Sequence, residues 1–126
     1  MKDGHYIRKS DGAEVWVQNG ELHREDGPAI IYTSGYRIWF QEGKRHREDG
    51  PAVIYPNGAQ YWYKNGELHH EDGPAEIGLS GIKRYWLEGK YYPKIRNNVQ
   101  WMIEVQRSKR NQIKNNKGKI DGDKYK

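Results

Sequence analysis

The stretch NGELHHEDGPA, residues 65–75, decides the fold, because two close copies of it lie earlier in the chain. NGELHREDGPA occupies residues 19–29 and EGKRHREDGPA occupies residues 42–52, so each copy begins 23 residues after the previous one. A fixed spacing of this length is typical of repeat proteins, in which every unit packs against its neighbours. The sequence therefore predicts an array of 23-residue units.

Tryptophan and glycine positions carry the same period beyond these copies. Trp16, Trp39 and Trp62 recur at the 23-residue spacing, and Tyr85 occupies the fourth place. Two glycine series recur with them, namely Gly12, Gly35, Gly58 and Gly81, and Gly20, Gly43, Gly66 and Gly89. These series predict about four units, of which the fourth lacks the histidine and the EDGPA element.

Each unit is expected to form two antiparallel strands joined by tight turns. Residues 13–18, AEVWVQ, run into Asn19-Gly20, a pair that favours a type I′ hairpin turn because both positions need positive φ. The second strand is interrupted at residues 25–28, EDGP, where glycine and proline predict a bulge or corner. The predicted fold class is therefore all-β, an elongated antiparallel β-hairpin repeat array over residues 1–92.

Side chains alternate along a strand, so the two faces of each unit follow from the sequence. In the first strand, the tryptophans lie on one face, and Val15, Val17 and their equivalents lie on the other. In the second strand, Ile30, Val53 and Glu76 share one side. Because Glu76 is charged, we expect that side to face water.

Residues 93–112 break the period and are expected to cap the array. A strand would be formed by the alternating residues Val99, Trp101, Ile103 and Val105. A helix with Asn98 as N-cap would instead have one face formed by Val99, Met102, Ile103 and Gln106. We favour a C-terminal capping helix, because it covers the array end without exposing another strand edge. Residues 113–126 are expected to form a disordered basic tail.

Composition excludes several classes of protein. At 126 residues the chain is too small for a large central core, yet ten Tyr and five Trp are unlike the aromatic-poor composition of disordered chains. The absence of cysteine excludes disulfides and thiolate metal sites. No apolar run approaches the roughly 20 residues of a membrane span, and the N-terminus has no signal-peptide core, so we expect a cytoplasmic location.

The net charge of +5 comes from the C-terminal segment. Residues 1–96 carry 14 basic and 14 acidic residues, whereas residues 97–126 carry eight basic and three acidic residues. The candidate nucleic-acid-binding residues are Arg107, Lys109, Arg110, Lys114, Lys117 and Lys119. Such a segment predicts salt-sensitive and nearly sequence-independent binding of DNA or RNA, with a merely solvated end as the alternative.

The unit resembles the MORN repeat through its pattern Trp-x-x-Asn-Gly-x-x-His, which residues 61–69, YWYKNGELH, match best. The HREDGPA form at residues 23–29 and 46–52 is similar to a MORN-like subgroup found in bacteriophage and large-virus proteins and related to bacterial antitoxin-type repeats. The resemblance implies a β-hairpin array that serves as a binding scaffold, most often for proteins, with membrane phospholipid sometimes proposed. This chain differs from the usual pattern in the Glu-Asp inserted before the glycine that follows the histidine.

The repeated histidines allow a metal-binding or acid–base interpretation and a structural one. Successive units advance by two strands, about 9–10 Å, whereas histidines that share a zinc ion need Zn–N distances of about 2.0–2.1 Å. We therefore expect no metal and no cofactor, with each imidazole hydrogen-bonded to a turn and the nearby carboxylates bonded to backbone amides. These structural turn residues are His23, Asp26, His46, Asp49, His69 and Asp72.

The chain offers no unique reactive constellation, because its notable charged residues are repeated and no nucleophile elbow, phosphate-binding loop or HExxH motif is present. We expect a non-enzymatic scaffold that docks on a protein partner, with a phage-encoded inhibitor of a host or defence protein as one form, located in the host cytoplasm. The candidate contact residues are Trp16, Trp39, Trp62, Tyr85, Arg37 and Trp101. A nucleic-acid-binding module is the alternative function, and unpaired strand edges at the array ends allow a homodimer.

Overall fold

The computed structural model describes the backbone of residues 1–124 and the side chains of residues 1–118. It consists of a long antiparallel sheet built from hairpins, followed by one C-terminal helix, which confirms the predicted all-β array with a capping helix. The strands are β1 Gly4–Ile7, β2 Glu14–Gln18, β3 Glu21–Leu22, β4 Ile30–Ile31, β5 Arg37–Ile38, β6 Phe40–Gln41, β7 Lys44–Arg45, β8 Val53–Ile54, β9 Gln60–Tyr61, β10 Tyr63–Lys64, β11 Glu67–Leu68, β12 Glu76–Ile77, β13 Lys83–Arg84, β14 Trp86–Leu87 and β15 Lys90–Tyr91. A 3₁₀ helix spans Leu79–Gly81, and the α-helix α1 spans Asn98–Lys124.

The main sheet follows the chain as a meander. Its strand order is β1-β2-β4-β5-β8-β9-β12-β13, and β3 pairs with β2 beside this path. The remaining strands form the hairpins β6–β7, β10–β11 and β14–β15. Backbone bonds join neighbouring units at these hairpins, since the Gly43 N–H donates to the Leu22 carbonyl and the Arg24 N–H donates to the Phe40 carbonyl. Each unit is thus hydrogen-bonded to the next one along the array.

The hairpin turns have the predicted geometry. Asn19 and Gly20 have φ of 53° and 76°, as a two-residue type I′ turn requires. Glu42-Gly43 and Glu88-Gly89 adopt similar positive φ values without an asparagine. The glycine of the pair is therefore the common feature of the turns, and the first position tolerates glutamate.

The EDGP segment forms the predicted bulge, which we call the corner loop. In the first unit, β2 pairs with β3 at Val17 and Leu22 and with β4 at Val15 and Ile30, so residues 24–28 are excluded from the ladder. The excluded loop lies opposite Trp16, whose N–H donates to the Ala29 carbonyl and whose carbonyl accepts from the His23 N–H. The corner loops of the second and third units are residues 47–51 and 70–74.

One face of the sheet carries the core. Cross-strand pairs place one row of side chains on this face, namely Tyr6, Val15, Ile30, Ile38, Val53, Tyr61, Glu76 and Arg84. Ile30 is 2% exposed and Val53 is 1% exposed, so the expectation that their side faces water was wrong. Glu76, the last residue of the row but one, is accommodated because its carboxylate accepts a hydrogen bond from Arg84 Nη1 at 3.2 Å.

The α1 helix confirms the favoured interpretation of the cap, but its N-cap is Asn97, not Asn98. Asn97 Oδ1 accepts from the Gln100 N–H at 2.9 Å, and Gln100 Oε1 accepts from the Arg96 N–H. The Asn98 side chain instead accepts from the Tyr85 hydroxyl at 3.0 Å. Asn97 therefore caps the start of α1, and the Asn98 bond to Tyr85 holds that start against the fourth unit.

The face of α1 that packs against the array also differs from the expected one. Trp101 and Val105 are buried against Tyr85 and Leu87, whereas Val99, Met102 and Ile103 are exposed. The helix extends beyond residue 112 to Lys124, so the segment expected to be disordered from residue 113 is helical as far as the backbone is described. Straight-chain Lys and Gln residues favour this continuation, while Gly118 opposes it. No helix among the described residues combines the length and apolarity needed to cross a membrane.

Candidate functional site

The three repeated tryptophans stack against side chains of their own corner loops. Arg24 Cζ lies 3.8 Å from the centroid of the Trp16 ring, and Arg47 Cζ lies 4.0 Å from that of Trp39. In the third unit the imidazole of His70 takes the place of the guanidinium, and its centroid lies 4.6 Å from the Trp62 ring centroid. The tryptophans are therefore half-buried, and each ring is in contact with a corner-loop side chain of its own unit.

The residue at the first position of each corner loop closes the loop, as arginine in the first two units and as histidine in the third. Arg24 Nε donates to Asp26 at 3.0 Å, and Arg24 Nη1 donates to the Pro28 carbonyl at 3.2 Å. Arg47 makes the corresponding bonds in the second unit, and His70 Nδ1 lies 3.0 Å from the Pro74 carbonyl in the third. The hydrogen bond from Arg24 lowers the pKa of Asp26. The loop carboxylates thus bind side chains, which corrects the expectation that they bind backbone amides.

The repeated histidines join one unit to the next. His23 Nδ1 accepts from the Glu42 N–H in the following hairpin turn at 3.0 Å, and His46 Nδ1 accepts from the Asn65 N–H at 3.0 Å. On the other side of each ring, His23 Nε2 lies 2.6 Å from Glu25 Oε1, and His46 Nε2 lies 2.7 Å from Glu48 Oε1. Because Nδ1 accepts, the proton of the neutral ring is on Nε2, which donates to the glutamate. The predicted contact with a turn is present, and the turn belongs to the next unit.

The third histidine differs because α1 lies beside it. His69 Nδ1 accepts from the Glu88 N–H at 2.9 Å, but Glu71 lies 3.9 Å from His69 Nε2. Glu71 instead accepts from Lys109 Nζ at 3.0 Å. Burial lowers the pKa of His69 below its ordinary value.

The N-terminal strand β1 supplies the contacts that a preceding unit would make. Asp3 accepts hydrogen bonds from the Asn19 N–H and the Gly20 N–H at 3.1 and 2.8 Å. In the later turns the first of these amides donates to a histidine, and the glycine amide donates to a backbone carbonyl of the preceding unit. His5 stacks on Trp16 at 4.1 Å between centroids. This cap was not identified from the sequence, because residues 3–5 do not share the repeat pattern.

A groove of about 780 Å³ lies between the first and second corner loops. Trp39, Gln41 and His46 line it together with both loops, from Arg24 to Pro28 and from Arg47 to Asp49. It is a concave surface where an aromatic ring, two guanidinium groups and exposed carboxylates meet, and such mixed surfaces are common at protein interfaces. We take this groove as the candidate functional site.

Two of the predicted contact residues pack inside the protein. Trp101 is 0% exposed, its ring lies 5.3 Å from that of Tyr85, and its Nε1 donates to the His70 carbonyl at 2.8 Å. Trp101 and Tyr85 are therefore cap residues, which corrects their assignment as contact residues. Arg37 is exposed, and its Cζ lies 5.8 Å from the Trp39 centroid.

The predicted nucleic-acid-binding residues lie along α1. Arg107 is bonded to Glu104, and Lys109 is bonded to Glu71. Arg110, Lys114 and Lys117 are exposed. The side chain of Lys119 lies outside the described residues.

Sequence reasoning missed the residues at positions 24, 47 and 70 as partners of the tryptophans. Their signal was a cationic or imidazole residue eight positions after each tryptophan. Sequence reasoning also missed a row of stacked tyrosines. The ring centroid of Tyr36 lies 5.1 Å from that of Tyr32 and 4.6 Å from that of Tyr55. Burial and the neighbouring Tyr55 raise the pKa of Tyr36 to about 12.

Among the described residues, no group of three or more His, Asp or Glu side chains is placed to hold one metal ion. Comparisons of the chain with protein-family models, curated proteins and solved structures give no match. The structure is a series of antiparallel β-hairpins compatible with a hairpin repeat.

Proposed function

We propose that the protein is a non-enzymatic binding scaffold that docks on a protein partner through the groove between its first two corner loops. The observation that carries the proposal is the groove itself, which is lined by Trp39, Arg24 and Arg47 and by carboxylates of both corner loops. Trp and Arg contribute most to the energetics of protein interfaces, and the bonds within the loops hold these side chains in place before binding.

The use of the repeated polar residues supports a scaffold over an enzyme. His23 and His46 have both ring nitrogens occupied, by a turn amide and by a glutamate. Arg24 is bonded to Asp26 and to a backbone carbonyl while it covers Trp16. The histidines join neighbouring units and the arginine holds its own corner loop, so these groups are poorly suited to proton transfer or nucleophilic attack.

The MORN-like pattern and the HREDGPA form of the repeat support a more specific proposal. The protein is a phage-encoded inhibitor that acts in the host cytoplasm by covering a host or defence protein. Trp16, Trp39, Trp62 and Arg37 remain the contact residues of this proposal, with Trp39 at its centre because it lines the groove.

Affinity capture from host lysate tests the proposal. The bait is the full chain, compared with a groove variant, Asp26→Lys with Asp49→Lys, and a control with the same charge reversals on exposed hairpin residues, Glu21→Lys with Glu67→Lys. We expect a protein retained by the wild type and the control and lost by the groove variant. Retention of nothing above background, or equal retention by the groove variant, would contradict the proposal.

Nucleic-acid binding is a second candidate, favoured by the exposure of Arg110, Lys114 and Lys117 along α1. Retention on DNA or RNA should then fall steeply with salt, with a slope of roughly −0.9 per phosphate neutralised on duplex DNA. Replacing these three residues with Gln should abolish retention on DNA or RNA at low salt. Unchanged retention by that variant, or none by the wild type, would exclude this function.

A further inference from the structure

The outward face of α1 carries an apolar patch that the described chain leaves uncovered. Val99 is 63% exposed, Met102 is 58% exposed and Ile103 is 52% exposed, while Trp101 and Val105 pack against the fourth unit. Residues three and four apart lie on the same side of a helix, so the three exposed side chains adjoin one another.

The same side of α1 becomes basic further along. Arg107, Arg110, Lys114 and Lys117 are exposed and follow the apolar patch at helical spacing. The outward face of α1 therefore combines a short apolar segment with a run of positive charge. A partner that fits it needs a negatively charged surface with some apolar area.

The corner loops of the first two units have that character. The carboxylates of Glu25, Asp26, Glu48 and Asp49 are between 73% and 89% exposed. They stand around the groove that Pro28 and Trp39 line with apolar atoms. The array therefore carries a surface complementary in charge to the outward face of α1.

Contact between α1 and a corner loop already occurs within the chain. In the third unit, Lys109 Nζ donates to Glu71 at 3.0 Å, and Trp101 Nε1 donates to the His70 carbonyl at 2.8 Å. Glu71 Oε1 lies 3.9 Å from His69 Nε2, whereas the Oε1 atoms of Glu25 and Glu48 lie within 2.7 Å of Nε2 of His23 and His46. A lysine of α1 thus replaces the histidine as the partner of the corner-loop glutamate.

We propose that α1 of one copy docks on the first and second corner loops of a second copy, and that the contact is reciprocal. Basic residues of α1 then pair with Glu25, Asp26, Glu48 and Asp49, and the patch of Val99, Met102 and Ile103 is covered. A two-fold dimer makes this contact twice, which suits a surface whose two complementary parts lie on one chain. This contact covers the groove between the first two corner loops, so a protein partner binds the monomer and competes with dimer formation. The proposal needs no other protein and so goes beyond the proposed function.

Light scattering on the purified full chain tests it directly. At low salt the mass should be twice that of one chain, and it should fall to that of a monomer at about 0.5 M NaCl, where exposed ion pairs are screened. A monomer at every salt concentration would overturn the proposal, even if the monomer binds nucleic acid or anionic vesicles.

Charge exchange identifies the surfaces. The loop variant Asp26→Lys with Asp49→Lys and the helix variant Arg110→Glu with Lys114→Glu should each be monomeric at low salt. An equimolar mixture should restore a 1:1 dimer, because both contacts are again complementary. The control Glu21→Lys with Glu67→Lys should stay dimeric. Dimers formed by either charge variant alone would overturn the assignment.

Discussion

The Nδ1 atom of His69 accepts a hydrogen bond from the Glu88 N–H at 2.9 Å, across the boundary between the third and fourth units. Glu88 is the first residue of a type I′ turn with φ of 49°, so the histidine satisfies an amide that the hairpin leaves unpaired. Protonation of Nδ1 would convert the acceptor into a donor and remove this bond. The neutral imidazole is therefore the form that joins the two units.

This bond predicts a loss of stability in mild acid. Because burial lowers the folded-state pKa of His69, the unfolded chain binds the proton more readily. The stabilisation is complete above the unfolded pKa of about 6.5 and is lost as pH falls through the lower folded pKa. Urea unfolding between pH 8 and pH 5 should show it, and His69→Asn, whose Oδ1 keeps an acceptor that does not titrate, should weaken the dependence. An equal pH dependence in the variant would show that His69 is not its source.

The contact between Arg47 and Trp39 predicts that two substitutions at position 47 lower the free energy of unfolding by different amounts. Arg47→Ala should lower the free energy of unfolding by about 1–3 kcal/mol, since it removes a cation–π contact and a bond to the Pro51 carbonyl. Arg47→His should cost less, because His70 fills the equivalent position in the third unit. Chemical denaturation of both variants gives the comparison, and similar losses would argue against the stack.

The glycines of the corner loops predict a difference between units. A Cβ added at Gly50 would lie 2.7 Å from Arg47 Cζ, whereas one added at Gly73 would meet His70 Cε1 at 3.4 Å. Gly50→Ala should therefore displace the guanidinium from Trp39 and cost on the order of 1 kcal/mol, and Gly73→Ala should cost less. Thermal unfolding of the two alanine variants tests this order.

The helix cap predicts a local effect. Asn97→Ala should destabilise the protein by about 1 kcal/mol, because the Gln100 N–H loses its acceptor. Asn111→Ala, on an exposed turn of the same helix, should be neutral or slightly stabilising, because Ala has the higher helix propensity. Unfolding followed by far-UV circular dichroism distinguishes the two, and equal effects would contradict the assignment of the cap.

The repeat period was sufficient to predict the hairpins, their turns and the two faces of the first strand, because each depends on local chemistry that recurs in every unit. The buried side of the second strand was predicted wrongly, because Glu76 is a charged residue of a type that usually faces water. Its hydrogen-bond partner Arg84 comes beside it only when the strands pair in the sheet. The packing face of α1 was also missed. Val99, Met102 and Ile103 fit a helical stripe as well as Trp101 and Val105 do, and the position of Tyr85 decides between them.

The candidate site was predictable in part. The tryptophan series and the histidine-to-turn contact follow from the recurring sequence. The groove depends on two corner loops lying side by side, and the bond from each histidine reaches the following unit. Neither relationship is visible within one unit.

Removal of one complete unit tests the account most directly. Deleting residues 42–64 takes out 23 residues and joins Gln41 to Asn65, which places Asn65 where His23 Nδ1 meets Glu42 in the intact chain. We expect a shorter array that unfolds in urea in one cooperative transition at a lower midpoint. Deleting residues 42–63 leaves one extra residue, shifts the strand against its turn and reverses its faces, so it should abolish that transition. Two equally cooperative deletions, or a 23-residue deletion that shows no transition, would contradict the array of interchangeable units.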